Sequence, residues 1–270
     1  KLPGVVDLVS KFLNLDVQKD LIPVSPSAHY TMGGIPTNLD CVVFDENNNE
    51  VKGLLAVGES ACLSVHGANR LGCNSLLDLL VFGKIAGQTI SKNISKNKEL
   101  NIEKIDKLLA KKIAEFEEIF APNNLFKNSN KLTELQERLK KNNEKYLGVF
   151  REEKLLEKGL EELKKIFKDF KQYKIINKSL LFNEELILYF ELKALILNSL
   201  ATNLSALNRK ESRGAHYRSD FKDRDDKNFC FHSLVKMKEC NPDDMEFLLK
   251  PVNSISKIQE LNLEVRPRKY

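Results

Sequence analysis

The sequence predicts a chain of mixed class: an α/β segment first, an all-α helical bundle in the middle, and an irregular segment at the end. Three observations lead there. Two β-branched or apolar runs, residues 41–44 and 54–57, flank the turn-rich stretch Asp45-Glu46-Asn47-Asn48-Asn49-Glu50 and read as a strand pair. From Ile102 onward, four stretches (residues 102–120, 131–147, 155–170 and 184–207) carry apolar residues at helical spacing with charged faces between them. From Glu211 the periodicity lapses, and the chain becomes charged and proline-containing.

Taken in order, residues 5–15 have apolar spacing suited to a short helix, which must end before Ile22-Pro23. Residues 23–36 are rich in Pro, Ser and Gly, and the Gly33-Gly34 pair permits backbone geometry that a Cβ would block. The second strand runs into Gly58-Glu59, and residues 60–72 are glycine-punctuated and loop-like. A helix then starts at Asn74-Ser75, with either residue as its N-cap. Its apolar face comprises Leu76, Leu77, Leu79, Leu80, Phe82, Ile85, Ala86 and Ile90. The four later helices are joined by short polar links, which favours antiparallel neighbours. The most apolar of them, residues 186–207, is interrupted by Glu191, Lys193, Asn198 and Asn203, so it is expected to be a buried core helix rather than a membrane span. There is no internal repeat.

Composition narrows the function classes. The 270 residues are 42% apolar and 30% charged, enough for one large or two smaller domains with a real core. A charge of +5 spread over 43 basic and 38 acidic residues lacks the clustering that nucleic acid binding needs, so no nucleic acid partner is expected. The lysine-rich runs at 92–98 and 140–145 read as solvated surface. Five cysteines with no Cys-x-x-Cys pair match neither a zinc site nor a disulfide framework and suggest a reducing compartment.

Three clusters could carry chemistry. In Ser27-Ala28-His29-Tyr30-Thr31-Met32-Gly33-Gly34, a histidine stands close to backbone that a ligand can approach. His29 would donate to an anion or carbonyl, or else be satisfied by a nearby carbonyl of the loop. In the second cluster, Glu59 follows an apolar strand, where a carboxylate can hold a ribose through its hydroxyls. Arg70 lies in His66-Gly67-Ala68-Asn69-Arg70-Leu71-Gly72-Cys73-Asn74-Ser75-Leu76, where its planar fork could grip a carboxylate with two parallel bonds, or be a plain surface charge. The helix after Asn74 would present free N–H groups and a partial positive charge to an anion or an electron-rich carbonyl. The third cluster, residues 210–216 with Asp220, Asp223, Arg224, Asp225, Asp226 and His232, is either a salt-linked surface or a buried polar network. It lacks the ligand pattern of a calcium loop, so no metal is expected.

Read together, these segments resemble a known family. His-Tyr-Thr-Met-Gly-Gly-Ile-Pro-Thr at 29–37, Ala-Val-Gly-Glu at 56–59, the 66–76 block and Glu-Ser-Arg-Gly-Ala-His at 211–216 are similar to the signatures of the succinate dehydrogenase and fumarate reductase flavoproteins. So are Val-Phe-Arg-Glu-Glu at 149–153, Arg-Asp-Asp-Lys-Asn at 224–228 and the ending Arg-Pro-Arg-Lys-Tyr. The resemblance implies the end of a capping domain at 1–28, the closing α/β part of an FAD-binding domain at 29–95, a helical domain at 96–208 and a C-terminal domain at 209–270. It implies FAD as cofactor, held by Glu59 at the ribose and by the backbone of Ser75 and Leu76 at the flavin ring. His29 and Arg70 would bind the carboxylates of succinate while hydride passes to the flavin. Implied partners are an N-terminal half of the flavoprotein, an iron–sulfur subunit and membrane-anchor subunits. The implied location is peripheral, on the matrix side of the mitochondrial inner membrane or the cytoplasmic face of a bacterial one.

The pattern is also incomplete. No Gly-x-Gly-x-x-Gly occurs, and the family's FAD-linking histidine and proton-transferring arginine have no counterpart here. The chain starts Lys1-Leu2-Pro3-Gly4 and is expected to be a fragment or one product of a divided gene, with the missing part at the front. Cys73 stands where Gly or Ser is expected. Fumarate reduction, L-aspartate oxidation or a non-catalytic assembly role are the alternatives to succinate oxidation.

Overall fold

A computed structural model describes residues 2–24, 29–94, 101–122, 131–238 and 241–252. The Arg266–Tyr270 ending, residues 95–98 of the lysine-rich run and the Ser27-Ala28 lead into His29 lie outside them.

The first helix, α1 (Pro3–Leu13), begins with Pro inside its first turn, where the missing N–H costs nothing, and stops at Asn14 in a left-handed conformation. Only Val9 of its apolar residues is buried. Four short strands follow. β1 (Ile35–Pro36) pairs in parallel with β4 (Ala61–Cys62), and β2 (Val42–Phe44) pairs antiparallel with β3 (Glu50–Leu55). The β2–β3 turn is set by Asp45, whose carboxylate accepts the N–H groups of Asn47 and Asn49, both at 2.8 Å. β3 starts four residues earlier than the apolar run suggested, because the turn hands the polar Glu50 directly onto Phe44 of β2.

The helix α2 (Asn74–Asn93) begins one residue before its expected cap. Its N-cap is Cys73, at φ 66° and with no side-chain capping bond, so Asn74 and Ser75 lie inside the first turn. Leu71 O accepts the Asn74 N–H, which tightens the chain into the helix and makes a side-chain cap unnecessary. The apolar face of α2 packs little against the chain itself. Asp78, Ala86 and Thr89 are its buried residues, whereas Leu76, Leu77, Leu80 and Val81 are at least half exposed.

The main core belongs to α4 (Lys131–Tyr146), α5 (Glu153–Gln172) and α6 (Glu184–Asn208). Leu132, Leu135 and Leu139 of α4 meet Leu163, Ile166, Phe167 and Phe170 of α5 and Leu192, Ile196 and Leu200 of α6, all at helical spacing. Each fully buried Leu or Ile contributes roughly 1.5–3 kcal/mol relative to exposure, so this cluster dominates the stability of the chain. The expected burial of α6 is found, and no helix among the described residues is long and apolar enough to cross a membrane. The expectation of a four-helix bundle needs correction. α3 (Ile102–Ile119) buries none of its described residues and joins the core only at its end, through Ile119, Phe120 and the Ile175 N–H bond to Ile119 O.

The C-terminal segment is more regular than expected. β5 (Phe231–Met237) and β6 (Met245–Pro251) form an antiparallel hairpin in continuous register from Phe231–Pro251 to Met237–Met245. Every β5 residue is half-buried, whereas the burial of β6 nearly alternates along the strand.

Candidate functional site

The site is assembled where residues 29–37, 58–62 and 66–78 meet. Gly34, at φ 142°, lets β1 press against the turn Gly58–Ser60: a Cβ there would lie 2.5 Å from Ser60 O. That close approach delivers Glu59 beneath the segment carrying His29, and Glu59 Oε1 accepts the Thr31 N–H at 2.9 Å. Arg70 reaches the same segment from the other side, with its guanidinium 4.6 Å from the centre of the Tyr30 ring. Tyr30 also meets His66 edge-on, its hydroxyl 3.5 Å from Nε2, and that nitrogen lies 3.5 Å from Asp78 Oδ2 on α2.

Arg70 is half-buried and incompletely partnered. One Nη donates to Leu71 O at 3.2 Å, while Nε is buried with no acceptor among the described residues. A buried N–H without an acceptor costs about 1–3 kcal/mol, which an oxygen-bearing ligand would recover. His29 is exposed and has no hydrogen-bond partner among the described residues. Glu59 is exposed, Ser75 is half-buried, and Leu76 is 67% exposed. The structure thus ties Glu59 and Arg70 to the 29–31 segment through Thr31 and Tyr30 rather than through His29 itself. The adjoining cavity, lined by Tyr30, Thr31, Cys62, His66 and Asp78 among others, measures about 20 Å³, room for about one water.

Sequence reasoning missed Asp78 and the position of Tyr30. A lone carboxylate within an apolar helical run was the available signal for Asp78.

The third cluster is a polar network with a buried centre and an exposed margin at Lys210, Asp223 and Arg224. Glu211 is fully buried and accepts from Arg209, from Arg213 at 2.7 and 2.9 Å and from the Asp225 N–H at 2.9 Å. Arg218, also fully buried, grips Asp220 with two bonds of 2.7 and 2.8 Å and donates to Ala206 O at the end of α6. Arg218 holds the Asp220 carboxyl down to about 2. His216 Nδ1 lies 3.0 Å from an Arg151 Nη, and its Nε2 lies 3.0 Å from Arg209 O. A guanidinium can only donate and a carbonyl can only accept, so His216 is neutral with its proton on Nε2. Burial, with the charges of Arg151, Arg209 and Arg218 adding, pushes it down to about 4. This network touches the second cluster: the Ala215 N–H donates to Ala68 O at 3.0 Å, two residues before Arg70.

Comparison with known proteins places this geometry. The model of the fumarate reductase flavoprotein C-terminal domain matches residues 136–270, and that of an FAD-binding domain matches residues 1–76. The chain belongs to the succinate dehydrogenase/fumarate reductase flavoprotein family. It is 43% identical over 241 residues to the succinate dehydrogenase flavoprotein subunit of Coxiella burnetii, covering 87% of this chain and 40% of that protein. It is 40% identical to the mitochondrial succinate dehydrogenase flavoprotein subunit of Oryza sativa subsp. japonica, with 87% and 37% covered. A solved E. coli quinol fumarate reductase superposes with a TM-score of 0.82 at 31% identity, over 94% of this chain and 42% of that one. The chain therefore spans about 40% of the length of the curated relatives it matches.

FAD is the cofactor of this flavoprotein fold. The residues present fit part of it. The first turn of α2 carries no side-chain cap to compete for its N–H groups, and the Glu59 carboxylate stands open on one edge. The cavity of about 20 Å³ falls far below the ~300 Å³ of a small-molecule pocket, so this side alone does not enclose a flavin.

Proposed function

We propose that this chain supplies the carboxylate clamp and one wall of the flavin seat of a succinate-oxidising flavoprotein. The supporting observation is Arg70: a guanidinium braced on the Tyr30 ring, with a buried Nε that no atom of the described residues satisfies. The planar fork suits one carboxylate of a dicarboxylate through two charge-assisted bonds. His29, exposed beside Tyr30, donates to the other carboxylate. Two anionic groups held from two sides fix the carbon chain between them, which is the positioning that hydride transfer requires.

FAD, when bound, supplies the two-electron acceptor. Glu59 holds its ribose hydroxyls, while the N–H groups of Ser75 and Leu76 meet a ring carbonyl at the positive end of α2, where added negative charge is favoured. The remaining flavin contacts come from a further segment of the flavoprotein, and iron–sulfur and membrane-anchor subunits complete the assembly, leaving this chain peripheral to a mitochondrial or bacterial inner membrane.

Arg70→Ala in the assembled, FAD-loaded protein should lower succinate oxidation by about 10²-fold or more with FAD retained. Loss of FAD together with activity would count against a substrate role. Fumarate reduction is the second reading, favoured by the structural likeness to E. coli quinol fumarate reductase. Measuring electron flow in both directions with succinate and fumarate, and with aspartate as a third substrate, separates the candidates.

A further inference from the structure

We infer that the turn Arg213–His216 is the positioning element that sets Arg70, so that dicarboxylate affinity is controlled from the C-terminal segment. This rests on the reading of Arg70 as the carboxylate clamp. Arg70 sits in a loop with no regular secondary structure between β4 and α2, in which Ser64 and Gly67 both have left-handed backbone. Such a loop is conformationally costly to order, yet a clamp works only if its fork is held within about 0.5 Å of the productive geometry. Something rigid must therefore hold it.

One brace is the Tyr30–His66–Asp78 contact already described. The other comes from the C-terminal segment. Ala215 N–H bonds to Ala68 O, and Gly214, at φ 58°, lies so close that a Cβ would come within 2.3 Å of that same oxygen. No residue but glycine fits both that backbone conformation and that gap.

The turn is itself over-determined. Arg213 and His216 exchange two backbone bonds of 2.8 and 3.1 Å, and Arg213 is gripped by buried Glu211. The His216 ring is pinned between Arg151 and the Arg209 carbonyl. Arg151 precedes α5 and Arg209 caps α6, so the turn is fastened to the most tightly packed part of the chain. Rigidity passes from the helical core through His216 and Gly214 to Ala68, and from there to the arginine two residues on. His216 and Gly214 are positioning residues and touch no substrate.

The test uses the assembled, FAD-loaded flavoprotein and malonate, an unreactive dicarboxylate, as the probe. Gly214→Ala should weaken malonate binding and raise the KM for succinate by about tenfold or more, as a misplaced clamp does, while FAD content is unchanged. His216→Asn, which keeps an acceptor for Arg151 and drops the bond to the Arg209 carbonyl, should act in the same direction by a smaller factor. In an Arg70→Ala background, Gly214→Ala should add no further loss, because the two act through one group. Unchanged malonate affinity in both Gly214→Ala and His216→Asn would overturn the inference, as would an equal further loss when Gly214→Ala is added to Arg70→Ala. An Arg70→Ala protein that binds malonate as tightly as the parent fails the underlying reading instead.

Discussion

The protonation of His216 is dictated by its neighbours, and the sign of its pH dependence follows from that. Folded, the ring is pushed down to about 4 from an ordinary 6.5, so between those values the unfolded chain binds a proton that the folded chain refuses. The stability this neutral ring contributes is whole above about pH 6.5 and drains away as the pH falls toward 4. Denaturant unfolding at pH 7, 5.5 and 4 should reveal a loss on the order of 3 kcal/mol from this group, and His216→Asn should flatten the dependence over that range. Asp220 works lower on the scale. Its stabilising ionisation is present above the ordinary 3.8 and is lost as the pH falls through about 2. Both groups were visible in the sequence as part of a charge-rich run, but alternating charges read alike whether solvated or buried. Only the enclosure of Glu211 and Arg218 beneath the end of α6 decides between them.

Among the elements, helix spacing was legible and partnership was not. The stripes of α4, α5 and α6 announce themselves because each repeats at 3.6 residues and all three face one core. The stripe of α3 is as regular in sequence, yet none of its described residues is fully buried, since an apolar face does not name what covers it. Gly159 in α5 gives a further test at this scale. Alanine there would gain about 1 kcal/mol of helix propensity. Its Cβ, however, would sit 2.7 Å from the Tyr146 Cβ and 2.9 Å from Asn203 Nδ2 at the α4–α5–α6 contact. A Cβ close to a helix backbone cannot swing aside, and overpacking costs typically 1–3 kcal/mol. Gly159→Ala should therefore lower the free energy of unfolding measured by denaturant titration, in the opposite direction to the propensity scale, by up to about 2 kcal/mol. The β5–β6 hairpin escaped the sequence reading although Met245, Phe247 and Leu249 alternate in β6, because the run is short and follows a charge-rich stretch.

At the scale of the whole molecule, the α2 face and the outer side of α1 define what the chain needs. Leu76, Leu77, Leu80, Val81 and, on α1, Val5, Leu8 and Phe12 are 44–79% exposed. Exposed apolar faces on two helices, that of α2 beside the candidate site, call for a cover. Expressed alone, the chain should bind the dye ANS strongly. Co-expression with the remaining part of the flavoprotein, bearing a glycine-rich dinucleotide fingerprint, should abolish that signal and yield a co-purifying pair with bound FAD. A stable, ANS-silent and flavin-less monomer in native extracts would contradict the proposed function.

The sequence by itself determined the helices and the family, because helical period and short motifs are written in local order. The tertiary structure alone decided which of those residues support one another: Tyr30 under Arg70, Asp78 behind His66, Ala215 on Ala68. The physical reason is distance along the chain. The contact from residue 215 to residue 68 exists only after the helical core has carried the C-terminal segment back across the molecule, and no local pattern records that closure.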